Sequence, residues 1–410
     1  MIYIMKTIII GGGPSGIAAA LHLRQLTNNE IIILDANPQI GKKLSATGNG
    51  RCNITNINIK SENYFSRNFS DISSVITKYT PEKIREFLDD IGIPTVITEG
   101  GWVYPSSFSA SNVNEIFKGQ LEASGITVIS NYLASKICKE NNHFIVSSEN
   151  PKQTIICDQI IIASGSKAYP QLGSHTEILQ ELEKFGHKII PFLPALSPIV
   201  LKNNPFKSIQ GVKIDACISV LKNGTKLGCT TQNIIFTEFG LNGPGVMNIS
   251  HLINPLSSPS YILKINFIPL KVKNTIIETF YHQINKNIPY LNIFLSILPE
   301  KLSLFFFDFW NLPLKVFCNQ IDPSLFMKQL HDLETYIVAV ESIKSFNFSQ
   351  ACSGGIDLHE INIQTMESLK CKNLYFAGEA LDVVGPCGGY NLNWAIASGL
   401  NAADGSSILV

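Results

Sequence analysis

Three glycines near the N-terminus have the spacing of a phosphate-binding turn. They are Gly11, Gly13 and Gly16, in a Gly-x-Gly-x-x-Gly pattern that also contains Pro14 and Ser15. In such a turn the first glycine permits a sharp bend, the second lets the backbone approach a pyrophosphate, and the third lets helix and strand pack closely. A helix that begins here would point free N–H groups at the phosphates. The pattern therefore predicts a dinucleotide site.

The segments around this turn are those that a dinucleotide site requires. The β-branched run 7–10 predicts a buried parallel strand, residues 17–25 predict a helix, and residues 30–34 predict a second buried strand. Asp35 and Ala36 follow that strand directly. A carboxylate at this position accepts hydrogen bonds from the adenosine ribose hydroxyls.

The C-terminal segment favours FAD over NAD. A predicted strand at 373–377 runs into Gly378 and Glu379, and a glycine-rich loop then leads to a last helix of small residues at 393–404. Such a segment closes the same fold over a bound ligand. The start of the last helix would face the flavin pyrimidine and stabilise negative charge there. A plain NAD dehydrogenase has no need of this segment, so we expect FAD.

Four sequence blocks resemble those of the BaiN/YhiN-like flavoproteins, a family often labelled NAD(P)/FAD-dependent or aminoacetone-oxidase-like oxidoreductases. The blocks are Gly41–Asn56 (GKKLSATGNGRCNITN), Gly101–Pro105 (GWVYP), Phe236–Pro244 (FTEFGLNGP) and Gly378–Asn391 (GEALDVVGPCGGYN), in the family's order. The resemblance implies an FAD-binding domain that is interrupted by a β-barrel-like and helical insertion.

The resemblance also implies which residues lie along the cofactor. Lys43 or Arg51 would neutralise pyrophosphate charge, although an exposed basic pair is the alternative for Lys42 and Lys43. The flavin end would meet the glycine-rich loop. The full predicted cofactor-binding set is Gly11, Gly13, Pro14, Ser15, Gly16, Asp35, Ala36, Lys42, Lys43, Gly48, Gly50, Arg51, Cys52, Asn53, Ala134, Ala163, Ser164, Gly165, Gly378, Glu379, Gly389, Tyr390 and Asn391.

Some loops depart from the family pattern. Asp35 stands where Glu is more usual, and Ser164-Gly165-Ser166 stands where Thr-Gly-Gly is usual. The stretches 173–176 (GSHT) and 352–355 (CSGG) also differ. We expect these loops to border the flavin or the substrate cleft, so the resemblance does not predict the substrate of this chain.

The predicted fold class is α/β, a Rossmann-like FAD-binding three-layer fold with an inserted β-barrel-like plus helical domain. A change in sequence character at Pro191 sets the first boundary, because three prolines interrupt the chain there and alternating strands follow. The predicted domains are an FAD-binding part at 1–190, a β-rich insertion at 191–272, a helical insertion at 273–345 and the remainder of the FAD-binding domain at 346–410.

The composition bears on binding partners and on cellular location. The chain has 32 Lys plus Arg and 32 Asp plus Glu among 410 residues, so no basic field predicts nucleic-acid binding. No apolar run reaches the length of a membrane helix, and the N-terminus does not read as a signal peptide. Nine scattered cysteines without a Cys-x-x-Cys pair predict a reducing, cytoplasmic location and no metal site. No sequence feature predicts an oligomeric state.

No residue can be assigned a catalytic role from the sequence. Cys52 and Cys387 flank flavin motifs, but packing roles are favoured over redox chemistry. His175 and His359 could donate protons to a substrate, although a surface histidine is the simpler interpretation of each.

Three functional hypotheses remain open. The first is a reductase that saturates an activated double bond of a small-molecule substrate. Since no second Gly-x-Gly-x-x-Gly unit follows the first, NAD(P)H would dock only transiently as electron donor. The second is an oxidase that oxidises an amine-type substrate and passes electrons to oxygen. The third is a flavin-bearing RNA-modification partner or binding protein, against which the zero net charge argues.

Overall fold

The computed structural model describes residues 4–68, 72–149, 151–254, 260–268 and 270–408. The chain divides into two compact units, one made of 1–194 with 349–410 and the other of 195–348. The strands are β1 (Lys6–Ile10), β2 (Glu30–Leu34), β3 (Thr55–Asn56), β4 (Thr95–Ile97), β5 (Trp102–Pro105), β6 (Thr127–Ile129), β7 (Ala134–Glu140), β8 (His143–Glu149), β9 (Lys152–Cys157), β10 (Gln159–Ile162), β11 (Ile189–Ala195), β12 (Ile199–Leu201), β13 (Lys213–Lys222), β14 (Thr225–Phe236), β15 (Gly240–Asn242), β16 (Tyr261–Asn266), β17 (Tyr336–Ile343), β18 (Ala351–Ile356), β19 (Ile361–Asn362), β20 (Glu367–Ser368) and β21 (Leu374–Phe376). The helices are α1 (Pro14–Leu26), α2 (Ser73–Lys78), α3 (Pro81–Asp90), α4 (Ala110–Ala123), α5 (Ile178–Glu181), α6 (Pro244–Met247), α7 (Leu270–Gln283), α8 (Leu291–Leu295), α9 (Glu300–Phe309), α10 (Pro323–Glu334) and α11 (Tyr390–Ser407).

The first unit is built on a seven-stranded sheet in the order β19-β20-β21-β10-β1-β2-β6. The five strands from β21 to β6 run parallel. Strand β1 is buried from Thr7 to Ile10 because both faces of the sheet are covered. The helices α1 and α11 and the antiparallel sheet β7-β8-β9 pack on these strands. The predicted three-layer α/β fold is confirmed.

Helix α1 and helix α11 approach each other closely. A Cβ atom added at Gly399 would lie 2.3 Å from the carbonyl oxygen of Ser15, so only glycine permits this distance. One added at Gly378 would lie 2.6 Å from the Ser15 hydroxyl. The last helix therefore rests directly on the first turn of α1, which connects the two ends of the chain at the predicted phosphate site.

The second unit is a closed antiparallel barrel in the order β12-β15-β14-β13-β16-β17, with the helices α7 to α10 inserted in the chain before its last strand. The longest strands, β13 and β14, pair through a turn at Asn223 and Gly224, which both have positive φ as an Asn-Gly hairpin turn requires. The helical part packs around aromatic residues such as Phe280 and Phe326, whose rings stack 3.9 Å apart.

The helical prediction for 273–345 is wrong at its end. Residues Tyr336–Ile343 form strand β17, which pairs with β16 on one side and with β12 on the other and so closes the barrel. The β-branched residues Ile337, Val338 and Val340 suit an extended strand, and two ladders of hydrogen bonds outweigh a weak local preference. The boundaries predicted at 191, 273 and 346 stay a prediction.

Candidate FAD site

The glycine turn has the geometry that close phosphate approach requires. Gly11 has a φ of +114°, and a Cβ added there would lie 2.2 Å from the carbonyl oxygen of Ala163. A Cβ added at Gly16 would lie 2.0 Å from the carbonyl oxygen of Gly11. In contrast, apart from the neighbouring residues of the chain, no atom of the described residues lies within 4 Å of a Cβ added at Gly13. The first and third glycines therefore serve the packing of the turn, whereas the second faces open space.

Helix α1 begins at this open position. Gly13 is its N-cap in an extended conformation, Pro14 occupies the first helical position and Ser15 is buried. The first amide groups of a helix have no partner within the helix, and they carry its positive dipole end. The arrangement can bind a pyrophosphate through backbone N–H groups alone.

Asp35 lies beside the turn, at the end of β2. One of its carboxylate oxygens accepts a hydrogen bond of 2.7 Å from the amide of Gly12, and the other accepts one of 2.7 Å from the amide of Asn37. A carboxylate oxygen can accept two hydrogen bonds, so each retains capacity for a ribose hydroxyl. Ala36 is half-buried next to Asp35. The buried Ala134 begins β7 two residues after Tyr132, whose amide donates to the Asp35 carbonyl (2.9 Å).

The two neighbouring lysines occupy different environments. The Nζ atom of Lys43 lies 3.0 Å from the carbonyl oxygen of Ser166 and 3.9 Å from a carboxylate oxygen of Glu379. The Ser166 hydroxyl donates to the same Glu379 oxygen (2.8 Å). Lys42 is exposed. The structure thus brings Lys43 next to the predicted flavin segments, and leaves Lys42 outside this cluster.

The segment from Gly48 to Asn53 makes a tight irregular turn. Gly48 and Gly50 both have positive φ, and Arg51 is exposed. Cys52 is fully buried, and burial raises the pKa of its thiol to about 12. The Asn53 amide nitrogen faces the carbonyl oxygens of Thr55 and Val103, each 3.2 Å away. Since the thiolate is the reactive form of cysteine, Cys52 is a packing residue at neutral pH.

The loop after β10 contains a buried polar atom that suits a ligand. Ala163 is buried, and Gly165 has a φ of +76°. The Ser164 hydroxyl is buried, and no described residue forms a hydrogen bond with it. Buried hydroxyl groups nearly always have a partner, so this hydroxyl has hydrogen-bonding capacity for a ligand that binds beside it.

The C-terminal loop is fixed onto the start of the last helix. Gly389 is the N-cap of α11 with a φ of +95°, and a Cβ there would lie 2.5 Å from the Thr55 carbonyl oxygen. The Asn391 side chain bridges the loop, because its amide donates to the Gly385 carbonyl and its oxygen accepts from the Gly385 amide, both at 2.9 Å. Helix α11 begins at Tyr390, three residues before the predicted start.

The sequence prediction missed a hydrogen-bond network beneath this helix start. The Thr55 hydroxyl donates to the Asn393 side-chain oxygen (2.6 Å), and the Asn393 amide donates to the Tyr64 hydroxyl (3.3 Å). The Tyr64 hydroxyl in turn donates to the Tyr390 carbonyl (3.0 Å). Burial raises the pKa of Tyr64, so it stays a donor at neutral pH. Thr55 belongs to a recognised block, whereas no sequence signal marks Tyr64.

The remaining candidates lie apart from this cluster or lack reactivity. His175 and His359 have side chains 40% and 62% exposed, and each lies near a carboxylate that follows or precedes it by two residues. Burial raises the pKa of the Cys387 thiol to about 12. Neither histidine contacts a predicted cofactor residue in the hydrogen bonds of the described chain, so no catalytic residue is assigned.

These features together fit FAD. An open position at a helix N-terminus suits a pyrophosphate, a carboxylate with spare acceptors suits a ribose, and the orphaned Ser164 hydroxyl suits a polar ligand atom. The residues come from separate blocks of sequence and belong to one compact unit.

The family model described as "HI0933-like protein Rossmann domain" matches residues 5–405. The chain belongs to this family. Like the BaiN/YhiN-like proteins that the sequence blocks resemble, it is an FAD-dependent oxidoreductase. It is 30% identical to a 3-dehydro-bile acid delta(4,6)-reductase of Clostridium scindens over 95% of this chain and 96% of that protein.

A further relative and a solved structure also match this chain. The chain is 26% identical to a ribosomal RNA dihydrouridine synthase of Escherichia coli, over 95% of both chains. Among solved structures, a flavocytochrome c3 fumarate reductase matches with a TM-score of 0.46 at 12% identity, covering 99% of this chain and 78% of that one.

Among the residues that the structure describes, no helix has the length and apolar character needed to cross a membrane. The same residues contain no group of three or more His, Cys, Asp or Glu side chains placed to hold a metal ion.

Proposed function

We propose that this protein adds hydrogen across a carbon–carbon double bond that is conjugated to a carbonyl group in a small organic molecule. NAD(P)H is the transient electron donor in this proposal. FAD, when bound, supplies the capacity to accept and donate hydride. The observation that carries the proposal is a shared chemistry: the relatives' names describe a delta(4,6)-reductase and a dihydrouridine synthase, and both reactions add hydrogen.

The start of α11 supports this chemistry. Helix α11 is 18 residues long, so its N-terminus has a full dipole, and its first N–H groups are free of partners within the helix. The Asn391 bridge and the Tyr64 network hold this end rigidly. Fixed donors stabilise developing negative charge without reorganisation. We place the pyrimidine end of the flavin here, with Tyr390 and the loop 385–389 beside it.

The sheet topology supports transient docking of the electron donor. The parallel pairs β21-β10, β10-β1, β1-β2 and β2-β6 all belong to the seven-stranded sheet that carries the glycine turn at Gly11, whereas the barrel of the second unit is antiparallel. A dedicated nicotinamide domain would need a second parallel sheet with its own glycine turn. NAD(P)H would therefore dock only transiently at the flavin.

Two alternatives make different predictions. Oxidation of an amine-type substrate would deliver electrons to oxygen and would need no nicotinamide. Reduction of uridine in RNA is favoured by the names of two relatives, each 26% identical to this chain. The net charge of zero offers no field for a phosphate backbone, so we favour a small molecule. We also propose a cytoplasmic location, which is consistent with nine scattered cysteines that include no Cys-x-x-Cys pair.

Anaerobic stopped-flow mixing tests the proposal. The flavin absorbance of the holoenzyme should bleach with NADH or NADPH, and a 3-oxo bile acid with conjugated 4,6 double bonds should restore it. Bleaching by an amine with no response to either nucleotide would support the oxidase. Recovery of absorbance with a uridine-containing RNA, but not with the ketone, would support the RNA alternative.

A further inference from the structure

A small antiparallel sheet in the first unit presents aromatic rings on one face. Strand β5 pairs with β3 on one side and β4 on the other. Trp102 and Tyr104 are two residues apart on β5, so their side chains point to the same face, and their ring centroids lie 6.4 Å apart. The Phe108 ring lies 5.4 Å from that of Tyr104 at an interplanar angle of 33°. We call these three side chains the aromatic face.

Two of these rings are left in contact with solvent. Trp102 is 41% exposed and Phe108 is 42% exposed. Phe108 also has a φ of +48°, which is rare for a bulky residue and costs conformational energy. Its amide donates to the Pro105 carbonyl (2.8 Å), which fixes this turn. Backbone strain of this kind collects at functional sites, and here it holds a large, partly exposed ring beside Tyr104.

The aromatic face borders two of the segments predicted to contact FAD. The Asn56 amide donates to the Gly388 carbonyl (3.3 Å), and a Cβ added at Gly388 would lie 3.4 Å from the Trp102 ring nitrogen. At the other end, a Cβ added at Gly48 would lie 3.7 Å from the Tyr104 ring. The flavin-end loop and the Gly48–Asn53 turn therefore both lie against these rings.

We infer that the aromatic face binds the flat conjugated ring system of the substrate by stacking and apolar contact beside the flavin. This inference rests on the proposed function and names its substrate class: a polycyclic or similarly flat apolar ketone. Arg51 lies close enough to Tyr104 that its positive charge opposes the rise in the phenol pKa caused by burial. The Arg51 guanidinium carries five N–H donors, and such donors suit the carbonyl oxygen of a ketone.

Charge, and not the rings, favours a small ketone over a base within RNA. Aromatic rings stack on a flat ketone and on a base alike. An RNA site also tracks several phosphates, whereas this chain has a net charge of zero. Trp102 and Phe108 are accordingly specificity residues, and they are not predicted to hold FAD.

Calorimetric titration of the oxidised holoenzyme tests this inference without turnover. The probe is the 3-oxo bile acid with conjugated 4,6 double bonds, and no reductant is present. Loss of the indole in Trp102→Ala should raise the probe Kd by about 10-fold, given the usual contribution of one aromatic stack. Phe108→Ala should raise the Kd by a smaller factor. Phe309→Ala removes a ring that is 53% exposed in the other unit, and should leave the Kd unchanged.

The outcomes separate this inference from the proposed function. Binding that depends on Trp102, with no reduction of the ketone, supports the aromatic face and contradicts the proposed reaction. Reduction with the same KM in Trp102→Ala and the wild type overturns the aromatic face and keeps the reaction. Loss of FAD from Trp102→Ala overturns the inference, because the ring would then serve the cofactor. A conserved probe affinity in Trp102→Leu also overturns it, since a flat ring would not be needed.

Discussion

Gly13→Ala is expected to weaken FAD binding while leaving the fold intact, and Gly16→Ala is expected to damage the fold itself. The two glycines belong to the same turn, three residues apart. Beyond its chain neighbours, a Cβ at position 13 meets no atom of the described residues within 4 Å, whereas a Cβ at position 16 would lie 2.0 Å from the Gly11 carbonyl oxygen. The methyl group at position 13 would therefore occupy space that is open to the ligand, and the methyl group at position 16 would clash with the protein backbone.

The magnitudes follow from this difference. Gly13 has a φ of −83°, which alanine adopts without strain. Alanine is a poorer N-cap than glycine, which lowers the free energy of unfolding by roughly 0.5–1 kcal/mol. Its lower entropy in the unfolded chain raises that free energy by a similar amount. The net change in the stability of the apoprotein should be near zero. Overpacking at position 16 should cost about 1–3 kcal/mol. A methyl group that holds the pyrophosphate away from the helix start should weaken FAD binding by roughly 10- to 100-fold.

The assay combines thermal unfolding of the apoproteins with titration of FAD. Gly13→Ala should unfold with the Tm of the wild-type apoprotein and bind FAD with a Kd raised by roughly 10- to 100-fold. Gly16→Ala should unfold at a lower temperature. Retention of full FAD affinity in Gly13→Ala would refute the placement of the pyrophosphate at this turn. A large loss of stability in Gly13→Ala would refute the statement that position 13 faces open space.

Three further changes test other parts of the structure. Ser164→Ala should leave the stability of the apoprotein unchanged and weaken FAD binding by about 3- to 10-fold, because its hydroxyl has no protein partner; a fall in apoprotein Tm without a change in FAD affinity would contradict this. Cys387→Ser should retain turnover, because burial raises the thiol pKa to about 12 and holds the group neutral; loss of flavin reduction kinetics in this variant would indicate thiol chemistry. Hydrogen bonds from His22, Lys78 and a tyrosine hydroxyl lower the pKa of Asp404 to about 2. The ionised form therefore contributes about 2 kcal/mol above pH 4, and this is lost as the pH falls from 4 to 2. Asp404→Asn should flatten the dependence of Tm on pH in that window, and an unchanged slope would contradict the assignment.

The sequence was sufficient for the parts of the fold that depend on local pattern. The glycine turn and the buried strands around it follow from backbone geometry and from burial on both faces, which leave few choices of residue. The turn at Asn223 and Gly224 is similar, because positive φ at two successive positions restricts the sequence. Such features can be read from short stretches of chain.

Features that depend on distant partners were missed or displaced. Strand β17 at Tyr336–Ile343 is extended because β16 and β12 flank it, and neither partner is near it in sequence. The role of Tyr64 depends on Asn393, which is 329 residues away. The early start of α11 at Tyr390 follows from the support that Thr55 and Tyr64 give to its first turn. No local pattern carries this information.

In the candidate site, too, some features follow from local sequence and others depend on distant contacts. Lys42 and Lys43 are equivalent in the sequence, but Lys43 lies next to Ser166 and Glu379 and Lys42 is exposed. The choice between them depends on where the loop after β10 and the start of the C-terminal segment meet. The aromatic face also depends on a sheet of three short strands that are separated in the chain.

Single turnover of the pre-reduced holoenzyme tests the proposed reaction most directly. The bound flavin is reduced by light without a nucleotide, oxygen is excluded, and the protein is mixed with the 3-oxo bile acid that has conjugated 4,6 double bonds. The proposal predicts that the absorbance of oxidised flavin returns while an equimolar amount of the substrate double bond disappears. Flavin that stays reduced in the presence of the ketone and recovers only when oxygen is admitted would contradict it.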